Sequence, residues 1–219
     1  MPLFLFLILL LALPWLFFSL FAQLSAASFS ALGLSPAQSF WLFAGSLAGS
    51  VVNLPVWRQT VESPWPPAGL RSLFFYYPPE VREQVVYVNV GGALIPGLFA
   101  LGLLGTRAPL LPALVDAAVV TLVAERIARP RAGVGIVLPP FIPPLVAVGV
   151  ALLLVRGADV SPVAYVGGVL GTLVGADLLH LRDVVRGEAL ALSIGGAGVF
   201  DGIFLVGMVA ALLGALAQG

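Results

Sequence analysis

The chain has 219 residues, 60% of them hydrophobic and 9% charged, and its ten basic residues balance ten acidic ones. A water-soluble domain carries about 25% charged residues. A chain this poor in charge cannot clothe a soluble surface, so the composition predicts an all-α polytopic transmembrane helix bundle, one integral membrane domain over residues 1–219. The zero net charge and the lack of a basic cluster argue against nucleic acid as a partner. There is no cysteine, every basic residue is arginine, and His180 is the single histidine. That removes disulfides, thiolate chemistry, multi-histidine zinc sites, lysine Schiff bases and lysine-bearing phosphate loops. No metal and no cofactor is expected. The richness in Ala, Leu, Gly, Pro and Arg reads as the coding bias of a GC-rich prokaryote.

A helix needs about 20 apolar residues to cross the hydrocarbon, and seven segments are candidates, several of them interrupted by Gly or Pro. The first covers 3–22 and is expected to break at Pro14. Ser25-Ala26-Ala27 offers a small-residue cleavage site, but there is no basic n-region and the apolar run is long, so an uncleaved first helix is expected. The second covers 37–54 and contains Ala44-Gly45-Ser46-Leu47-Ala48-Gly49-Ser50, whose small-residue spacing suits close helix packing. A long loop over 55–84 follows. It sets Trp57, Trp65, Phe74, Phe75, Tyr76 and Tyr77 among prolines and reads as an interfacial anchor, the alternative being a substrate-docking flap.

The third segment covers 85–105 and the short fourth covers 110–124. The fifth, 136–155, has Pro139, Pro140, Pro143 and Pro144 in its first half, which predicts a broken or re-entrant entry. The sixth covers 163–181, and the seventh lies within 189–216. Three segments share a β-branched-Gly-Gly-small pattern, at Val90-Gly91-Gly92-Ala93, Val166-Gly167-Gly168-Val169 and Ile194-Gly195-Gly196-Ala197; so Gly-rich a chain can produce this by chance. Arg58, Arg71, Arg82, Arg126, Arg129, Arg131, Arg182 and Arg186 fall on one side of the segments and only Arg107 and Arg156 on the other. The positive-inside rule then places the N-terminus in the cytoplasm, the C-terminus outside and the 55–84 loop at the cytoplasmic face of a prokaryotic plasma membrane.

Seven of the ten acidic residues fall in loops or at helix ends. Asp116, Asp177 and Asp201 fall inside spans, where an aspartate costs about 2.5–3.5 kcal/mol on insertion scales. Each is therefore a candidate functional residue, the alternative being a hydrogen-bonded Asp that holds helices together. A single helix over 189–216 would be about 42 Å long, too long for a core of about 30 Å, whereas 198–216 would be about 28 Å. A break at the glycine stretch 195–198 is expected, and it brings Asp201 to the depth of Asp177. Two neighbouring carboxylates can share a proton, which suits either hydrolysis, by activating water and protonating a leaving group, or a proton or cation site. Accessory candidates are Asp116, as a further member of a proton path, Asn89, near the cytoplasmic end of its segment, and His180, one turn beyond Asp177 on the same helix face. Asn89 could hydrogen-bond the aspartate site and His180 relay a proton, but a helix-packing amide and an interfacial histidine are the commoner readings.

At Asn89-Val90-Gly91-Gly92-Ala93-Leu94-Ile95-Pro96, Gly175-Ala176-Asp177-Leu178-Leu179 and Gly195-Gly196-Ala197-Gly198-Val199-Phe200-Asp201-Gly202-Ile203-Phe204 the chain resembles a prokaryotic family of polytopic membrane proteins, a domain of unknown function called the sixteen-fourteen family. The resemblance covers most of the chain and implies an integral membrane protein. Ala176-Asp177 and Gly198-Val199-Phe200-Asp201 also resemble, more weakly, the two aspartate motifs of the presenilin and signal-peptide-peptidase class of intramembrane aspartyl proteases. Ala176 stands where that class has tyrosine, Phe200 where it has glycine, and nothing corresponds to its later Pro-Ala-Leu element. The second resemblance implies a catalytic pair, Asp177 and Asp201. The expected function is accordingly an intramembrane aspartyl hydrolase acting on a transmembrane peptide. The alternatives are a proton- or cation-coupled transporter or channel using the same aspartates and moving an ion or small solute, and a structural membrane subunit. The lipid bilayer is a partner in all three, and the sequence leaves the oligomeric state open.

Overall fold

The computed structural model describes residues 2–63, 80–131, 135–182, 191–196 and 202–218. Mostly helical, it has the element order α1 (Pro2–Ala31), α2 (Pro36–Gly49), β1 (Asn53–Ser63), β2 (Glu80–Asn89), a π-helical turn (Val90–Leu94), α3 (Ile95–Leu103), α4 (Leu110–Ile127), β3 (Arg129–Arg131), β4 (Gly135–Val137), α5 (Ile142–Leu154), a 3-10 turn (Gly157–Asp159), α6 (Val160–Thr172), a second π-helical turn (Leu173–Leu178), β5 (Ala191–Ile194) and α7 (Gly202–Leu216).

The centre of the bundle is α6. Between Asp159 and Asp177 the sequence has no charged side chain and four glycines, so the helix has no polar face to offer solvent, and such helices are buried. Every α6 residue except Leu170 lies in the interior, with α3, α4, α5 and α7 packed around it. Gly167, Gly171 and Gly175, four residues apart, face α4. A Cβ on Gly171 would stand 2.6 Å from Val120 Cβ and 2.8 Å from the Ala117 carbonyl oxygen. At Gly175 it would collide with the Thr121 carbonyl oxygen. The Thr121 hydroxyl donates to the Gly171 carbonyl across the seam, at 3.3 Å. On the α7 side, Gly207 and Gly214 take Tyr165 and Ser161 of α6. Small residues on facing helices let backbones approach, which is where van der Waals packing pulls apolar helices together.

The outer faces carry large apolar side chains: Leu11 on α1 is 76% exposed, Leu111 on α4 73% and Leu153 on α5 86%. Among the described residues two helical stretches, Ile8–Ala31 and Gly157–Leu178, are long and apolar enough to cross a membrane, and three apolar helices are shorter, Val90–Leu103, Ile142–Leu154 and Gly202–Leu216.

The helix expected to break at Pro14 runs unbroken from Pro2 to Ala31. Proline's fixed φ is itself helical; its cost is one missing hydrogen bond and a local clash, which the leucine-rich turns on either side absorb. The second half of α1 belongs to the core. Phe29 is fully buried and meets Phe99 and Phe204 edge-on, at ring-centroid distances of 6.4 and 6.0 Å, and the Ser25 hydroxyl reaches Met208 Sδ at 3.1 Å. Ser25-Ala26-Ala27 thus lies within a packed helix.

The expectation of an all-α chain with a loop over 55–84 needs correction. β1 and β2 form an antiparallel ribbon with Asn53 opposite Asn89 and Ser63 opposite Glu80, and β5 adds to β2 in parallel, with Val85 opposite Ala191 and Val88 opposite Ile194. Val85, Val86, Tyr87 and Val88 are β-branched or aromatic, the residues that fit a pleated surface. Pro55 breaks the register between itself and Trp57, as a residue without an N–H does at a bulge. The prolines that made the segment read as a loop, Pro64, Pro66, Pro67, Pro78 and Pro79, lie outside the described residues. The third helical segment consequently starts at Val90 rather than 85, and the fifth at Ile142, with Pro143 and Pro144 buried in its first turn, where a proline needs no N–H partner. A short hairpin, β3–β4, occupies the preceding stretch.

Candidate functional site

Three interruptions of regular structure meet at one end of the bundle. The first is the π-helical turn that ends α6. Asp177 projects from it, and π turns of this kind are frequent at functional sites. His180 closes it from below: its Nδ1 stands 3.1 Å from the carbonyl oxygens of both Gly175 and Ala176. Two carbonyl neighbours assign the ring proton to Nδ1, since neither can donate.

The second interruption is the end of β5. Gly195 and Gly196 have φ of +80° and +79°, left-handed values that glycine adopts at no steric cost. This is the break expected at the glycine stretch. The Gly195 N–H, freed from the sheet by the turn, donates to Asp177 Oδ2 at 2.7 Å. The third is the π turn at 90–94. Ala93 of that turn abuts Gly195 so closely that a Cβ on Gly195 would stand 2.7 Å from the Ala93 nitrogen.

Asn89 holds the third interruption in place. Fully buried, it accepts the Gly92 N–H through Oδ1 at 2.7 Å and caps the turn. Its Nδ2 donates to the Ser50 carbonyl at 2.7 Å and to Asn53 Oδ1 at 3.1 Å. Ser193 of β5 donates to the same Asn53 oxygen at 2.7 Å. One polar knot therefore ties α2, β1, β2 and β5 at the point from which the chain enters α3. Gly49 and Gly91 allow the approach: a Cβ on Gly49 would stand 3.0 Å from the Gly91 nitrogen.

Beside this cluster lies an apolar cavity of about 240 Å³. Leu173 and Leu178, the two ends of the π turn that carries Asp177, line it, as do Ile194, just before the glycine turn, and Gly97 and Leu101 of α3.

The structure thus gathers three sequence-read candidates, Asp177, His180 and Asn89, around the Gly195 turn. Asp201 lies outside the described residues; α7 begins at the next position, Gly202. Asp116 is not part of the cluster. It sits mid-length on α4 against Gly167, about 15 Å from Asp177 measured along α6. Among the described residues no three His, Cys, Asp or Glu side chains group as metal ligands. The reading from sequence missed Asn53, Ser193 and the Gly195 N–H. Only the last had a signal, the paired glycines at which a break was expected.

The fold defines a class: a helix bundle built around one glycine-striped central helix, with a small mixed sheet fastened to the end where a carboxylate meets a glycine break. The chain belongs to the family described as "Protein of unknown function (DUF1614)", whose sequence profile matches residues 47–213. The matched span takes in the whole cluster and leaves out α1 and most of α2. No curated protein and no solved structure matches the chain.

Proposed function

We propose that this chain is a polytopic membrane protein of a prokaryotic plasma membrane, and that it is an intramembrane aspartyl hydrolase with Asp177 and Asp201 as its catalytic pair. The membrane reading draws support from the outward-facing leucines of α1, α4 and α5 and from an interior packed by small residues, the distribution expected where lipid is the solvent.

One observation carries the hydrolase reading, the hydrogen bond from the Gly195 N–H to the Asp177 carboxylate. It fastens Asp177 to the break that leads, six positions later, to Asp201. The N–H satisfies one carboxylate oxygen and orients the other. Two aspartates sharing one proton can then divide the work: the ionised member takes a proton from water as the water attacks a carbonyl, and the protonated member delivers its own to the leaving nitrogen. The apolar cavity beside Asp177 suits a substrate that arrives through lipid, such as a transmembrane peptide.

The test is cleavage of single-span peptides by the full chain reconstituted in liposomes. Cleavage by the wild type that is lost in both Asp177→Ala and Asp201→Ala supports the reading. Cleavage that survives either substitution overturns it.

A further inference from the structure

Asp116 has no role in that mechanism, yet it is the most deeply buried carboxylate among the described residues. Its side chain is wholly buried, and neither carboxylate oxygen has a hydrogen-bond partner. It stands in the seam between α4 and the glycine stripe of α6, where a Cβ on Gly167 would collide with the carboxylate. The missing side chain at Gly167 is what makes room for it, and the carboxylate lies directly on the α6 backbone, with no space for water at that contact.

Among the described residues no charge stands ready to pair with it. Tyr165 of α6 packs the other way, against Phe99 of α3 and Gly207 of α7. Asp159 and Asp177 stand at the two ends of α6, about 12 and 15 Å from Gly167 along the axis, and His180 lies beyond Asp177. α5 and α7 carry no titratable side chain. On α4 itself Glu125 and Arg126 lie at the far end, nine and ten positions on, beside one another at 3.5 Å. Arg107, before α4, donates to the Leu32 carbonyl instead. An ionised carboxylate left alone in a dry interior is among the costliest things a fold can bury, so the closed seam has to supply a positive partner. A metal ion would need several oxygen ligands around it, and this seam offers none of the usual carboxylate or histidine groups beyond Asp116 itself.

We propose that Asp116 is a proton-binding site: the closed α4–α6 seam holds its neutral acid, and release of the proton opens the seam. On release the O–H bond breaks, its electron pair stays on the carboxylate, and the proton passes to water entering as the helices part. The second π-helical turn continues α6, so the segment that opens is continuous with the one that carries Asp177.

Infrared difference spectroscopy of the full chain in liposomes tests the site. The expected result at neutral pH is a carbonyl band of a protonated carboxylic acid that vanishes in Asp116→Asn. The band is expected to persist in the Asp177→Asn/Asp201→Asn double variant, which separates this proton from one shared by the proposed catalytic pair. That double variant decides the question alone if Asp116→Asn does not fold. Hydrogen exchange tests the opening: once the base-catalysed rise of the intrinsic rate is divided out, the protection factors of α4 and α6 amides are expected to fall severalfold as pH is raised in the wild type, while those of α1 do not. Absence of the band from the double variant overturns the site, and α4 and α6 protection factors that do not fall with pH in the wild type overturn the opening. Either result stands whether or not the chain cleaves peptides.

Discussion

Asp177 and Gly195, eighteen positions apart, are joined by a 2.7 Å hydrogen bond from the glycine N–H to the carboxylate Oδ2. The bond exists because two irregularities coincide. The π turn at the end of α6 directs the carboxylate toward β5, and the left-handed glycine pair turns the β5 backbone so that an N–H is left to donate. Loosening either irregularity removes this hydrogen-bonded tie between the central helix and the sheet.

Gly195→Ala is expected to loosen it. The added Cβ meets the Ala93 nitrogen at 2.7 Å and Cα at 3.0 Å, and alanine is strained at a φ of +80°. A strained backbone of this kind costs about 1–3 kcal/mol, and the clash with main-chain atoms cannot be relieved by a rotamer change. Gly105→Ala is the comparison, with a φ of +72° and no atom near its would-be Cβ; it is expected to show the backbone strain alone. Thermal unfolding in detergent should therefore drop further for Gly195→Ala than for Gly105→Ala. Equal drops would show that Ala93 yields freely.

His180→Phe keeps a ring of similar size and removes the donor to Gly175 and Ala176. One hydrogen bond of this type contributes about 0.5–1.5 kcal/mol, so a modest loss of stability is expected. Local hydrogen exchange reads the effect more sharply. The amides that close the π turn, such as Leu179 bonded to the Val174 carbonyl at 3.0 Å, should exchange faster while those of α4 stay unchanged. Unchanged exchange around Asp177 would remove His180 from the support of the site.

The break before α7 was legible in the sequence because a helix over 189–216 would outrun the bilayer, and glycines marked the place to interrupt it. Asp116 and Asp177 stood out in the sequence because charge is so scarce. The sheet did not. Prolines between 64 and 79 made 55–84 read as a loop, and the apolar run Val85-Val86-Tyr87-Val88 read as the start of a helical segment. Nor could the Asn53–Ser193 contact be read, since it joins residues 140 positions apart through the register of β2 against β5, which no local pattern encodes. The stripe of Gly167, Gly171 and Gly175 was not read from the sequence either, since its four-residue spacing has meaning only once α4 is the helix that lies against it.

That stripe makes a graded prediction. A Cβ on Gly171 would stand 2.6 Å from Val120 Cβ, whereas one on Gly149 of α5 would meet nothing within 4 Å. Overpacking a tight seam costs about 1–3 kcal/mol, while Gly→Ala in an open helical position gains up to about 1 kcal/mol. Gly171→Ala is expected to lower the unfolding temperature and Gly149→Ala to raise it or leave it unchanged. A drop of similar size in both would mean that the α4–α6 seam is no tighter than the rest of the bundle.

Asn89 separates packing from polarity. Asn89→Leu fills similar volume, leaves the Gly92 N–H and the Ser50 carbonyl without their partner, and takes from Asn53 Oδ1 one of its two donors. Buried polar groups stripped of a partner cost about 1–3 kcal/mol each, so this substitution is expected to be among the most damaging single changes outside the α4–α6 seam. Asn89→Asp retains the acceptor for Gly92 and loses both donated bonds, and it sets the carboxylate against the Ser50 carbonyl and the Asn53 oxygen. If the cap on the π turn dominates, Asn89→Asp is rescued relative to Asn89→Leu; if the knot that ties α2 to the sheet dominates, the two variants fail alike. The knot makes two of the three bonds, and the acceptors it would leave facing a new negative charge are both oxygens, so failure of both variants is the expected outcome. Thermal unfolding of the two proteins side by side decides it.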